Sequence, residues 1–190
     1  MSATWHSDAP PPPAKITISG WVRVVAKGLP LALLVFGGLA LLLLLRIIER
    51  PVFGMARPIT PFIAVFVCRS ALWIIGLRLV VQGQPMTGQG AVVANHSSWL
   101  DIFVLNAVKR IYFVSKHEVS AWPGIGWLAR ATGTLFIERR RARAADQAVQ
   151  LQHRLQVRHR LLFFPEGTSS DGQRILPFKT TLFAAFFAPQ

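Results

Sequence analysis

Ala91-Val92-Val93-Ala94-Asn95-His96-Ser97-Ser98-Trp99-Leu100-Asp101 is the stretch on which the reading of this chain turns. Small and β-branched apolar residues at 91–94 read as a short strand, and 99–108 continues as a helix. The strand delivers His96 to its end, where α/β folds display reactive groups. Asp101 follows five residues later across a turn, so its carboxylate can return to the imidazole. A carboxylate accepting from Nδ1–H fixes the tautomer and leaves Nε2 as a base near neutral pH. The bare spacing serves another arrangement equally well, in which Asp101 only caps the helix and His96 bonds locally.

Downstream the same texture repeats. β-rich apolar runs at 111–114, 135–137 and 161–164 alternate with helical stretches at 125–131 and 142–157, and a last helix is expected over 179–188. Such alternation predicts an α/β domain from residue 83 onward, with a parallel or mixed sheet and crossover helices. No internal repeat is visible.

Upstream the chain is different. Residues 1–20, with Pro10 to Pro13, read as a disordered tail. Residues 29–45 are almost unbroken in Leu, Ala, Val, Phe and Gly. Extended over 28–48 they form a helix of about 31 Å, matching the hydrocarbon thickness of a bilayer. A cleaved signal peptide fits less well. The segment ahead is too long and no small-x-small site follows; Arg46, Glu49 and Arg50 come next instead. Lys15, Arg23 and Lys27 on one flank balance Arg46, Arg50 and Arg57 on the other, so positive-inside counting gives no orientation. A second apolar stretch, 62–81, carries Arg69 and Arg78 around Trp73, which suits a helix lying in the interface better than a second span. The organisation expected is a tail (1–20), membrane-anchoring helices (21–82) and an α/β domain (83–190).

Composition agrees. A net charge of +13 beside 52% hydrophobic residues points to an anionic bilayer surface as the partner of the basic groups. Nucleic acid fits poorly, because the basic run over 139–160 lacks interleaved aromatic rings. Cys68 is the only cysteine, so no intramolecular disulfide forms, and its apolar surroundings read as a buried thiol.

Two further constellations carry chemistry. Phe163-Phe164-Pro165-Glu166-Gly167-Thr168-Ser169-Ser170 takes a strand into a tight turn, expected to expose Glu166 beside backbone N–H groups. Gly133-Thr134-Leu135-Phe136-Ile137-Glu138-Arg139 ends a strand on an arginine suited to bidentate phosphate or carboxylate binding. Arg140, Arg141 and Arg143, like His153, Arg154, Arg158, His159 and Arg160, read as a solvated or lipid-facing basic surface. Lys116, after the second strand, reads as a surface lysine. His117-Glu118 is not a zincin motif, since residue 121 is Ala. Gly124-x-Gly126 follows Trp122-Pro123 rather than a strand, which argues against a dinucleotide loop.

Together the three constellations resemble the lysophosphatidic acid acyltransferase family of glycerolipid acyltransferases. Its N-H-x-x-x-x-D block is similar to Asn95 to Asp101, its strand-Arg block to Gly133 to Arg139, and its F-P-E-G-T block to Phe164 to Thr168. The resemblance implies acyl transfer from acyl-CoA or acyl carrier protein to a lysolipid hydroxyl. The first acceptor it implies is 1-acylglycerol-3-phosphate, giving phosphatidic acid. His96 is then the general base and Asp101 its partner, with no acyl-enzyme, metal or cofactor. Arg139, Glu166, Gly167 and Thr168 hold the acceptor, and the hydrophobic N-terminal part docks on the bilayer. Because acyl thioesters are made in the cytosol, the catalytic domain is expected on the cytoplasmic face of the inner membrane.

In two places the sequence departs from the family pattern. Ser169 stands where the family commonly has an arginine after F-P-E-G-T, and the run from Ser169 to Lys179 looks more like the branch acylating lyso-ornithine lipid, which has no phosphorus. The family also continues into a further strand and a fourth motif, so the domain is expected to lack its C-terminal part. A non-catalytic, membrane-anchored lipid-binding protein is the reading from another class.

Overall fold

The computed structural model describes residues 15–138, 143–179 and 183. Helix α1, Ile18–Phe53, has 36 residues and is about 54 Å long. It starts ten residues earlier than the apolar run indicates, because Thr17 supplies a cap: its hydroxyl accepts from the Gly20 N–H at 3.2 Å. Residues 18–20 are therefore helical rather than part of the tail, and residues 1–14 lie outside the described ones. The helix is apolar enough to cross a membrane, and much of its surface is exposed.

Helix α2, Thr60–Ile75, folds back on α1 and is shorter than the apolar stretch from which it was predicted. Gly76 ends it in a left-handed cap (φ 89°), with its N–H 3.0 Å from the carbonyls of both Leu72 and Trp73. Three contacts fix the hairpin. Glu49, 2% exposed, accepts from the N–H groups of Ile59 (2.7 Å) and Thr60 (3.0 Å), from the Thr60 hydroxyl (2.5 Å) and from Arg46 (3.0 Å). A carboxylate of α1 thus caps the start of α2. At mid-height Gly38 faces Val67, and a Cβ there would come 2.5 Å from Val67 Cγ2. At the other end Lys27 Nζ donates to the Ile75 carbonyl at 2.7 Å.

Helix α2 also packs on the helix that follows it, so only one of its faces is open. Cys68 and Leu72 are buried against Ala107 of the next helix, with Phe103 and Val104 beside them. Arg69, read as a group reaching for water, donates from Nε to the Ala107 carbonyl at 2.8 Å. The helix joins the anchor to the catalytic domain, while Phe62, Phe66 and Trp73 remain exposed on its other face.

The domain alternates as its sequence indicates. Strand β1 (Gly90–Val93) is followed by α3 (Leu100–Val108), β2 (Tyr112–Lys116), a 3-10 turn (His117–Ala121), α4 (Ile125–Thr132), β3 (Leu135–Ile137), α5 (Ala144–Gln156) and β4 (Arg160–Phe163). The sheet has order β1-β4-β2-β3 and every pairing is parallel. Leu161, Leu162 and Phe163 are each at most 1% exposed, as expected of a strand covered on both faces. Tyr112, Val114, Leu151, Leu161 and Phe163 form the main core. Gly126 has a packing reason: a Cβ there would sit 2.1 Å from the Ser120 carbonyl oxygen of the 3-10 turn.

The basic run around α5 is not a uniformly solvated face. Arg154 is 6% and His159 3% exposed. Arg154 lies three residues after the fully buried Leu151, so helical periodicity carries it into the core. There it donates to the Gly133 carbonyl and lies over the Tyr112 ring at 4.7 Å. His159 stacks on the same ring at 4.0 Å. The helix expected over 179–188 falls almost wholly outside the described residues. Lys179 itself is not helical, its N–H bonding the Pro165 carbonyl at 2.9 Å.

Two outcomes are expected. Glu49→Ala leaves buried Thr60 and two N–H groups without an acceptor, a loss of about 2–4 kcal/mol, so the detergent-solubilised protein should melt several degrees lower; Glu49→Gln, keeping a carbonyl acceptor, should lose less. Burial first, and then the Arg154 cation, push the His159 imidazole down to about 4 from 6.5. The unfolded chain therefore binds more protons between those values, and stability falls as pH drops from about 6.5 toward 4. Melting scans across that window should show a shallower pH slope in His159→Phe than in the parent protein.

Candidate active site

The site forms at the carboxyl edge of the sheet, where β1 and β4 end side by side, with Val93 opposite Phe163. His96 Nδ1 lies 2.7 Å from Asp101 Oδ2. The same oxygen accepts from the N–H groups of Ser97 (2.7 Å) and Ser98 (3.0 Å). Both sequence readings of the pair are therefore realised at once. Asp101 caps the entry to α3 and also orients the imidazole, and its place in the first turn favours the negative charge. A carboxylate can only accept, so Nδ1 carries the proton and Nε2 presents its lone pair. Nε2 has no hydrogen-bond partner among the described residues, and the side chain remains 23% exposed, so a substrate hydroxyl can reach it.

The second block holds the ring in place. Phe164 stacks on His96 at 4.0 Å with 14° between planes, and Phe113 lies 6.1 Å behind Phe164. After Pro165 the chain turns at Gly167 (φ 68°), whose N–H bonds the Phe164 carbonyl at 3.0 Å. It then runs back over the first block. The Ser170 N–H donates to the His96 carbonyl at 2.8 Å, and a Cβ at Gly172 would stand 3.0 Å from Ser97 Oγ. Phe164, Ser170 and Gly172 are site residues for which the sequence reading gave no role. Their roles require the β1–β4 pairing, which no local pattern reveals.

Glu166 is not exposed as expected. It is 1% exposed, because the turn tucks it inward, where Oε2 accepts from the Leu176 N–H at 3.2 Å. The carboxylate thus closes the loop over 166–176. Its Oε1 is buried and has no partner among the described residues, a costly state that a donor entering the site would relieve. Gly167 and Thr168 lie half-buried beside it, and Ser169 is exposed. Arg139 lies outside the described residues. Strand β3, which leads toward it, is at the opposite edge of the sheet from β1, about 14 Å away at normal strand spacing. Lys116 ends β2 half-buried on the same edge of the sheet as His96.

The site is thus an imidazole oriented by a carboxylate and open at Nε2, at the carboxyl edge of a parallel sheet in an α/β domain that follows a long apolar helix. Comparison with known proteins agrees. The Acyltransferase family model matches residues 78–189, and the chain belongs to that family. It is 56% identical over 183 residues to a lyso-ornithine lipid O-acyltransferase of Rhodobacter capsulatus, covering 96% of this chain and 66% of that protein. A lyso-ornithine lipid O-acyltransferase of Brucella abortus is 41% identical over 65% of this chain and 47% of its own length. A 1-acyl-sn-glycerol-3-phosphate acyltransferase of Neisseria gonorrhoeae is 41% identical over 48% of this chain and 36% of its own. The chain thus spans under two thirds of the length of these curated relatives. The crystal structure of the acyltransferase PlsC from Thermotoga maritima has the same fold, with a TM-score of 0.67 over 88% of this chain and 69% of that one, at 23% identity.

Asp101→Asn keeps an acceptor for the two N–H groups but cannot stabilise an imidazolium. It should cut acyl transfer by about 10²- to 10⁴-fold with little change in KM, and steady-state kinetics on both variables checks it. A loss confined to KM would remove the orienting role.

Proposed function

We propose that this protein transfers an acyl group from acyl-CoA or acyl carrier protein to the free hydroxyl of lyso-ornithine lipid, on the cytoplasmic face of the inner membrane. The observation that carries the chemistry is the 2.7 Å His96–Asp101 contact with Nε2 open. Nε2 takes the proton of the acceptor hydroxyl as its oxygen attacks the thioester carbonyl. Asp101 stabilises the imidazolium that forms. The tetrahedral adduct collapses, the C–S bond breaks, and the proton passes from Nε2 to the departing thiolate. No acyl-enzyme is required, and Ser98, the nearest hydroxyl to the helix start, accepts from the Leu100 N–H at 3.2 Å. Glu166, Gly167 and Thr168 shape the acceptor side of the site, and Arg139 supplies a cation for the lipid carboxylate.

The choice of acceptor rests on two observations. The R. capsulatus relative matches this chain over nearly its whole length, and Ser169 replaces the cation expected beside a phosphomonoester. Acylation of 1-acylglycerol-3-phosphate is the second reading, supported by the Neisseria relative over 93 residues.

Membranes carrying the full-length protein, given labelled acyl thioester and each lysolipid in turn, test both readings with His96→Ala as the blank. Product from lyso-ornithine lipid is expected, lost at least a thousandfold in His96→Ala while the variant still pellets with membranes. Product from lysophosphatidic acid alone would replace the acceptor, and His96-independent product would overturn the mechanism.

A further inference from the structure

The opposite, amino edge of the sheet holds an open cleft of about 620 Å³ that the mechanism does not use. It lies where β2 and β4 begin, at Tyr112 and Arg160, roughly 15–20 Å from His96 at the rise of an extended strand. Arg57, Arg110, Arg158 and Arg160 line it, and no acidic side chain does. Each guanidinium has five donors, and their contacts with the protein leave donors over. Arg57 gives one hydrogen bond to the Ala131 carbonyl (2.8 Å), Arg160 gives one to Thr87, and Arg110 lies over the Phe62 ring (4.5 Å).

Two features mark the cleft. Its wall contains His159, 3% exposed, with neither ring nitrogen hydrogen-bonded among the described residues. The carbonyls of Ala56 and Met55 face that ring and draw its pKa upward, short of hydrogen-bond geometry, against the larger effects of burial and Arg154. Arg158 (φ 60°) ends α5 as its left-handed cap, with its N–H on the Leu155 carbonyl (2.9 Å) and the His159 N–H on the Arg154 carbonyl (3.1 Å), which turns the chain into the cleft wall. Second, charge is segregated along the strands. Asp101, Glu118, Glu138, Asp146, Glu166 and Asp171 all follow the carboxyl ends of strands, whereas Glu49, near Arg57, is already engaged by Arg46 and Thr60. The cations at the amino edge repel one another, with Glu49 the one carboxylate acting on Arg57 among the described residues, and Arg154 is pushed down to about 10 by burial and by Arg57.

We infer that this cleft binds a phosphorylated small molecule of nucleotide size. Planar guanidinium forks match phosphate oxygens, the volume lies within the range of small-ligand sites, and a bound dianion would both neutralise the cluster and offer an acceptor to His159. The phosphates can come from the nucleotide end of an acyl-CoA, from a free phosphate ester or from inorganic phosphate. The inference does not depend on the acceptor or on the transfer chemistry.

Calorimetry on the detergent-purified full-length protein separates these sources, with 3′,5′-ADP, glycerol 3-phosphate and inorganic phosphate titrated in turn. The expected result is saturable binding of at least one, weakened about tenfold or more in the double variant R110Q/R158N and unchanged in His96→Ala. Asparagine tolerates the positive φ of Arg158, and a melting curve matching the parent protein confirms that the double variant is folded. Tight binding of 3′,5′-ADP assigns the cleft to the donor nucleotide; binding of glycerol 3-phosphate or phosphate alone assigns it to a free ester or ion. No binding by any probe, binding the double variant retains, or binding only of a polyanion such as heparin would overturn it.

Discussion

Parallel pairing of β1 with β4 places Val93 beside Phe163, and the geometry of the catalytic end follows from that register. The two strands lie about 67 residues apart in sequence, yet their carboxyl ends deliver His96 and Phe164 to ring-stacking distance. A slip of one residue would turn alternate side chains to the other face of the sheet and separate the rings. Burial makes such a slip costly. Leu161, Leu162 and Phe163 are all covered, so β4 has no exposed face on which a shifted register is tolerated. The position of the base is thus set by core packing, with the 2.7 Å contact to Asp101 fixing its rotation and tautomer.

Much of this was legible because the signals are local. The alternation of apolar strands and amphipathic helices needs only neighbouring residues, and β3 was read at its observed bounds. His96 and Asp101 were legible for the same reason, since five residues across one turn place both groups. Glu166 was misread because its environment is made by Leu176 returning over it, a contact set by the whole loop. Arg154 and His159 were misread because a run of cations resembles a solvated face. Only the phase relative to Leu151 and the arrival of Tyr112 from β2 reveal that they are buried. Helix α2 shows the same limit, since its Arg69 meets a carbonyl of α3, thirty-eight residues away.

The helical hairpin aligns the anchor with the chemistry. Glu49 at Thr60, Gly38 at Val67 and Lys27 at Ile75 are three rungs of an antiparallel pair. On the far side of α2, Cys68 and Leu72 meet Ala107 with Phe103 beside them. Trp73 of α2 and Trp99 at the start of α3 are both exposed, and indole rings favour the boundary between lipid and water.

A basic cluster facing lipid headgroups would be explained by the anionic bilayer alone. Arg57, Arg110, Arg158 and Arg160 line the cleft at the edge of the sheet opposite His96. A sheet edge does not by itself call for four arginines around one cleft, and their contacts with the protein leave guanidinium donors over. A bound anion would relieve both the repulsion among these arginines and the unpartnered ring nitrogens of His159.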